Sequence, residues 1–153
     1  MDLTRHHPND PALASILQLI RTSFNYMDGI IDPPSSMHRM TLETLHVTAA
    51  TSEIWSLGKP PTACVTLTPL HQTLYLGKLC VADFERGQGH ARRLISHAAS
   101  RARALSLRSL TLETRVELTA NQAAFKRLNF LEVARTSHKG YAQPTSITYR
   151  RML

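Results

Sequence analysis

The 153-residue sequence predicts one α/β domain with a mixed sheet, over 1–153, and three observations carry that expectation. Short runs of strand-like residues alternate with helical patterns of period 3.6 along the chain. Hydrophobic residues make up 42%, which at this length suits one core. No internal repeat, linker or low-complexity tract divides the chain.

Leu3 to Arg5 reads as a short first strand, ending in the turn set Pro8-Asn9-Asp10-Pro11. Asp10 is a suitable N-cap with Pro11 at the first helical position. Leu13, Ile16, Leu17, Ile20 and Phe24 then mark a helix from about Pro11 to Tyr26. Pro33 and Pro34 interrupt the pattern within Asp28 to Ser36, and Thr41 to Leu45 suggests a second, shorter helix. Ser52 to Leu57 and Pro61 to Thr68 read as strands joined by Gly58-Lys59-Pro60. Pro69 to Gln72 turns the chain into a strand from Thr73 to Val81. A third helix, about Gly89 to Ala104, repeats apolar residues at Ala91, Leu94, Ile95, Ala98, Ala99 and Ala102. A strand from Ser109 to Thr114, a helix from Ala120 to Leu128, and strands from Phe130 to Arg135 and Ser146 to Met152 complete the pattern.

The formal net charge of +7 points to an anionic partner. Aromatics at 6% and arginines in no unbroken block argue against nucleic acid as that partner. The densest set is Arg92, Arg93, Arg101, Arg103 and Arg108, on and after the third helix. It reads either as a solvated face or as a contact for a ligand's phosphates. No run approaches the roughly 18 apolar residues of a membrane span, so no membrane partner is expected. The N-terminus, Met1 to His7, is polar, and Cys64 and Cys80 lie in apolar runs without a CxxC. Reduced thiols and a cytoplasmic location are therefore expected. His6 and His7 are adjacent and wrongly spaced for a helix-borne metal pair, so no metal is expected.

The most informative segment is Leu79-Cys80-Val81-Ala82-Asp83-Phe84-Glu85-Arg86-Gly87-Gln88-Gly89-His90-Ala91. A strand that passes through a short connection into a helix opened by glycines presents several backbone N–H groups together. Those donors and the positive end of the helix suit a pyrophosphate. Gly87 and Gly89 allow close approach, and Arg86 adds a charge. The phosphate-loop pattern GxxxxGK[ST] is absent. A dinucleotide fingerprint fails too: counting from Gly87, Arg92 takes the place of the third glycine, and Glu113 comes too late to hold a ribose.

Arg86-x-x-Gly89-x-Ala91 resembles the [Q/R]-x-x-G-x-[G/A] signature of the GNAT superfamily of acyl-CoA N-acyltransferases. Downstream, Asn121-Gln122-Ala123-Ala124-Phe125-Lys126-Arg127-Leu128-Asn129-Phe130 is similar to that family's N-x-x-A-x-x-x-Y-x-x-x-G-F stretch, shifted by one residue between Asn and aromatic. The resemblance implies a mostly antiparallel central sheet of roughly six to seven strands flanked by about four helices. It also implies acetyl-CoA (coenzyme A) as cosubstrate and transfer of the acetyl group to a primary amine, on a small molecule or a peptide, by direct attack in a ternary complex. A homodimer is compatible with it. By the same resemblance the backbone of Leu79, Cys80 and Val81 holds the pantetheine arm. A splay between that strand and Ser109 to Thr114 admits it. Arg86, Gly87, Gln88, Gly89, His90 and Ala91, with Arg92 behind, hold the pyrophosphate; Asn121 bonds the pantetheine and Phe125 packs beside the thioester. The loops Met27 to Ser36 and His138 to Pro144 shape the acceptor pocket, with Phe24, Met27, Ile31 and Tyr141 as its expected contacts.

The chemistry requires proximity, an N–H for the developing oxyanion (expected from the backbone of Cys80 or Val81), a route for the amine proton and, optionally, an acid for sulfur. Phe125 departs from the family, many of whose members carry a tyrosine acid there. Tyr141 is the replacement candidate, with Tyr75 and Tyr26 behind it. Glu113, placed by alternation opposite Leu110 and Leu112, is the candidate base, against a competing reading as an ion pair with Arg115 or Lys78. Cys80 has no sequence-near histidine to activate it as a nucleophile. Acceptor signals conflict: Asp28 and Asp32 suit a cationic amine, Lys139 an acidic one. Phe125 also leaves open a non-catalytic module that binds acyl-CoA without turnover.

Overall fold

Seven strands join into one mixed sheet in the computed structural model, which describes residues 2–153. In chain order they are β1 (Leu3–Arg5), β2 (Glu53–Leu57), β3 (Ala63–Leu70), β4 (Thr73–Val81), β5 (Ser109–Arg115), β6 (Leu131–Thr136) and β7 (Ser146–Met152). The helices are α1 (Leu13–Phe24), α2 (Leu42–Thr51), α3 (His90–Ala104) and α4 (Thr119–Arg127). The strand order is β1-β2-β3-β4-β5-β7-β6. All neighbours are antiparallel except β4 and β5, which are joined through the crossover helix α3 and run parallel. The expected mixed, mostly antiparallel sheet with four helices is thus present.

Each face of the sheet is covered because the strands alternate. One face carries Val65, Leu67, Leu74, Leu76, Leu110, Leu112, Ile147 and Tyr149 against Leu94, Ile95, Ala98 and Ala102 of α3, with Phe125 and Leu128 of α4 packed alongside. The other carries Ile54, Cys64 and Cys80 against Leu13, Ile16, Leu17 and Ile20 of α1 and Leu45 and Ala49 of α2. Each fully buried Leu or Ile contributes on the order of 1.5–3 kcal/mol. Among the described residues, no helix is long and apolar enough to cross a membrane.

Three boundaries differ from the sequence expectation. Asp10 is not the N-cap of the first helix: its Oδ1 accepts the Ala12 N–H at 2.9 Å in the turn before it, and Ala12 holds the N-cap position without a side-chain bond. Helical geometry begins only at Leu13, and the helix ends in a 3-10 turn at Asn25–Met27. α2 runs on to Thr51, well past the expected end at Leu45. Its buried stripe is only Leu45 and Ala49, too narrow to show as periodicity, while reciprocal bonds between Thr41 and Thr44 set its start. The β3–β4 hairpin turns at His71 and Gln72 alone: Pro69 pairs with Leu74 and Leu70 with Thr73, so both residues belong to the strand.

α3 is tied to the sheet by one ionic cluster. Arg101 donates two hydrogen bonds to Glu53 of β2, at 2.8 and 2.7 Å, and the Trp55 indole N–H donates a third at 2.7 Å. Trp55 also meets His97 edge-on, ring centroids 4.1 Å apart. Burial raises the Glu53 carboxyl, but the Arg101 and Trp55 bonds outweigh it and hold the carboxyl below its ordinary value. Arg101→Ala leaves the Glu53 carboxylate, only 7% exposed, without its cation. Allowing for the partial exposure of Arg101, this should cost about 2–3 kcal/mol in urea unfolding. Because the folded carboxyl titrates below 4.5, the stability difference between wild type and Glu53→Gln should be constant above pH 4.5 and shrink as the pH falls below it.

Candidate active site

The site arises where the parallel pair comes apart. β4 and β5 pair only from Thr73, Leu74 and Tyr75 to Ser109, Leu110 and Thr111. Beyond Tyr75 a bulge takes over: Thr66 pairs with Gly77 and Cys64 with Cys80, so Lys78 and Leu79 together oppose Val65. Lys78 takes a left-handed φ of 50°, a strained value for a residue with a Cβ. The extra residue also inverts the alternation: Tyr75 and Gly77 share the α1/α2 face with Thr66, and so does Cys80, while Leu79 and Val81 turn to the α3 face. The sheet therefore opens between β4 and β5.

Two cavities adjoin at this opening. The smaller, about 290 Å³, runs from Leu79, Cys80 and Val81 to Arg86, Gly87, Gly89, His90, Ala91 and Arg92 at the start of α3. The larger, about 770 Å³, lies over the splayed strands under the segment 31–40. Phe24, Leu79, Asn121 and Phe125 line both and mark their junction.

The smaller cavity ends in an anion cradle. Gly87 and Gly89 have φ of 78° and 80°, and a Cβ built at either meets nothing within 4 Å, so open space lies before both. The first backbone bond of α3 runs from the Arg93 N–H to the Gly89 carbonyl. The N–H groups from Gly87 to Arg92 find no acceptor among the described residues, as the first turn of a helix requires. Gly87, Gly89, His90, Ala91 and Arg92 line the end of the cavity, and their five unpaired backbone N–H groups with the exposed Arg92 side chain fit a pyrophosphate. Arg86 pairs with Asp83 at 3.1 Å on the surface, and the His90 ring meets Glu85 at 2.9 Å, which pins the turn. Gln88, expected among the phosphate-holding residues, lines neither cavity.

Asn121 lies inside α4, whose N-cap is Leu118, so it caps nothing, and its side-chain amide makes no hydrogen bond among the described residues. Phe125 packs against Phe130 and Tyr149, with centroids 6.2 and 6.3 Å away. Cys80 lines the smaller cavity, but its Sγ stands 3.5 Å from the Cys64 Sγ across the strand pair and both thiols are free. That contact and burial push the Cys64 thiol well up, and no histidine stands by either sulfur to form a nucleophilic pair.

In the larger cavity Glu113 is the sole carboxylate among the lining residues. It is exposed to the cavity and has no ion pair with Lys78 or Arg115, so the competing reading as a salt bridge does not hold. Burial, and next the Glu113 carboxylate, push the neighbouring Tyr75 phenol up to about 12. Phe24, Met27 and Ile31 line this cavity and pack with Leu118. Tyr141 is not brought to either cavity: its hydroxyl donates to Asp32 at 2.7 Å, and that bond raises it further. Lys78, Arg39, His38 and His138 also line the larger cavity. Sequence reasoning missed Arg39 and His38, because no local pattern says which residues of that segment the fold turns inward, whereas His138 opens the loop expected to shape the acceptor pocket. Among the described residues, no group of three His, Cys, Asp or Glu could hold a metal ion.

Residues 13–130 match the model of the Acetyltransferase (GNAT) family. The chain belongs to that family. No curated protein matches its sequence significantly. Its fold is that of an acetyltransferase from Streptococcus agalactiae, at 17% identity and a TM-score of 0.77, covering 99% of this chain and 98% of that one. It is equally similar to the PaiA N-acetyltransferase of Thermoplasma acidophilum in complex with coenzyme A, at 10% identity and a TM-score of 0.76, covering all of both chains. A GNAT acetyltransferase from Elizabethkingia anophelis with acetyl-CoA bound follows at 15% identity and 0.72, covering 99% of this chain and 97% of that one.

The bulge region tolerates little extra volume. A Cβ on Gly77 would lie 2.6 Å from the Thr66 Oγ1. Gly77→Ala should therefore destabilise the protein by about 1–3 kcal/mol in urea unfolding. Thr66→Ala, which removes the obstructing oxygen, should restore part of that loss in the double variant.

Proposed function

We propose that this protein is an acetyl-CoA-dependent N-acetyltransferase that joins donor and primary amine in one ternary complex. The observation that carries the reading is the junction of two cavities, one ending in five residues with free backbone donors and the other holding a single unpaired carboxylate. Two proteins of the same fold, crystallised with acetyl-CoA or coenzyme A, support the choice of donor.

Acetyl-CoA supplies the acyl group as an activated thioester. The N–H groups from Gly87 to Arg92, with Arg92 and Arg86, hold the pyrophosphate. The opened edge of β4 at Leu79, Cys80 and Val81 offers its backbone to the pantetheine amides, and the free amide of Asn121 adds a side-chain bond. Phe24 and Phe125 wall the junction and exclude water from it. An amine reaching the junction through the larger cavity passes Glu113, whose carboxylate accepts the ammonium proton, and Tyr75 stays protonated at neutral pH as a hydrogen-bond donor beside it. A backbone N–H of Cys80 or Val81 serves the developing negative charge on oxygen. None of the four junction residues is an acid, and the sulfur departs as thiolate; Tyr26, the one tyrosine lining the smaller cavity, is the remaining candidate to protonate it. Tyr141 acts at one remove, by fixing Asp32 and the wall of the acceptor cavity.

Acetyl-CoA should raise Tm, and free thiol should appear when an amine panel is added. A thermal shift without thiol release from any amine would mark the chain as a binding module instead, and no shift with any acyl-CoA would end the proposal. Glu113→Gln should lower kcat by about 100-fold or more while leaving acetyl-CoA binding intact in calorimetry. Asn121→Ala should weaken that binding by about tenfold with kcat little changed.

A further inference from the structure

The acceptor cavity has a charge pattern that primary-amine binding alone does not explain. Three cations line it, Arg39, Lys78 and Arg115, against the single carboxylate Glu113. They come from the segment 36–39, from the bulge and from the end of β5, and all three line the same cavity. Lys78 donates to Ser36 at 2.8 Å, and Arg115 donates to the carbonyls of Pro33 and Pro34 at 2.6 and 3.2 Å. Arg39 has no hydrogen-bond or ion-pair partner among the described residues, and the partners of Lys78 and Arg115 are all uncharged. Burial, then the charges of Arg39 and Arg115, lower the Lys78 ammonium.

The acidic residues that could welcome a purely cationic acceptor are engaged elsewhere. Asp28 meets His38 at 2.6 Å, Asp32 accepts the Tyr141 hydroxyl, and Glu117 accepts the Asp32 N–H at 3.0 Å. None of the three lines the cavity, and neither does Lys139. The two histidines of the cavity are also engaged, His38 with Asp28 and His138 with the Thr145 hydroxyl. Unbalanced cations are held close together at a cost in repulsion, and a bound anion relieves it.

We infer that the acceptor is a primary amine that also carries a carboxylate or phosphate, the anion held by Arg39, Lys78 and Arg115 and the amine by Glu113. Resting on the acyltransferase reading, this deepens it by naming the acceptor class. A diamine or polyamine meets three cations and is disfavoured; an acceptor with opposite charges at its two ends matches the cavity end for end.

The test compares thiol release from acetyl-CoA with 4-aminobutyrate, phosphoethanolamine, ethanolamine and putrescine. The anionic acceptors should exceed ethanolamine in kcat/KM by about 10- to 100-fold, the range of a hydrogen-bonded charge pair. The better of the two identifies carboxylate or phosphate as the natural group. Lys78→Met and Arg39→Met should each cut the anionic-to-neutral ratio by about tenfold, and Lys78→Arg should keep it. A kcat/KM for ethanolamine or putrescine equal to or above that of the anionic acceptors overturns the inference. A second readout needs no turnover: calorimetric titration of N-acetyl-4-aminobutyrate and N-acetylphosphoethanolamine into the coenzyme A-saturated protein. At least one should bind, more weakly by about tenfold in Lys78→Met, while N-acetylethanolamine should not. If the anions bind but no amine releases thiol, the acyltransferase reading fails and the anion site stands. If neutral amines release thiol and no anion binds, the anion site fails and the acyltransferase reading stands.

Discussion

Lys78 and Leu79 of β4 stand together opposite the single residue Val65 of β3, and the rest of the site depends on that mismatch. An inserted residue bends its strand and leaves part of the ladder unpaired. Here the bend comes just after Tyr75, the last residue of β4 to pair with β5, so the parallel pair parts within the sheet. The gap exposes strand backbone that would otherwise be saturated by the neighbouring strand. A left-handed φ at Lys78 costs on the order of 1–2 kcal/mol. It persists because Gly77 admits the close approach of Thr66, because Lys78 reaches Ser36, and because Cys64 and Cys80 lock the register beyond it.

The same inversion distributes the chemistry. Before the bulge, Tyr75 and Gly77 face the α1/α2 side, where they line the larger cavity with Glu113. After it, Leu79 and Val81 face the α3 side, next to the turn that opens that helix. One short strand thus borders two cavities from its two halves. The helix start supplies a field for anions, and the Glu53–Arg101 pair holds α3 at a fixed distance from β2. Rigid placement of this kind lets a site act through proximity without a full set of ionisable groups.

The cavity linings also define what the catalyst lacks. Phe24, Leu79, Asn121 and Phe125 meet at the junction, and none can donate a proton of acidic strength. A thiol is a far better leaving group than an alcohol or amine, with an ordinary pKa of about 8.5, so the proposed transfer does not require an acid at the junction. The demanding proton transfer is at the amine, and the unpaired carboxylate stands on that side.

Much of this was legible from residue order alone. The period-3.6 stripe of α3, the alternation of β2 to β5 and the glycines at 87 and 89 follow from local geometry, and with Asn121 they identify the family and the anion cradle. Glu113 could be placed by alternation because β5 has no bulge. The inversion at Lys78 could not, since it arises from a pairing offset between two strands and not from any residue pattern. For the same reason Tyr141 was drawn toward the chemistry by its glycine- and proline-flanked loop, whereas the fold commits its hydroxyl to Asp32. The conflict between Asp28, Asp32 and Lys139 dissolves in three dimensions: all three lie outside the cavity, and Arg39, Lys78 and Arg115, distant in sequence, line it instead. Local sequence determined the glycine turn that opens α3 because its donors are neighbouring backbone groups; only the tertiary structure assembled the charges of the larger cavity, because they meet across separate elements.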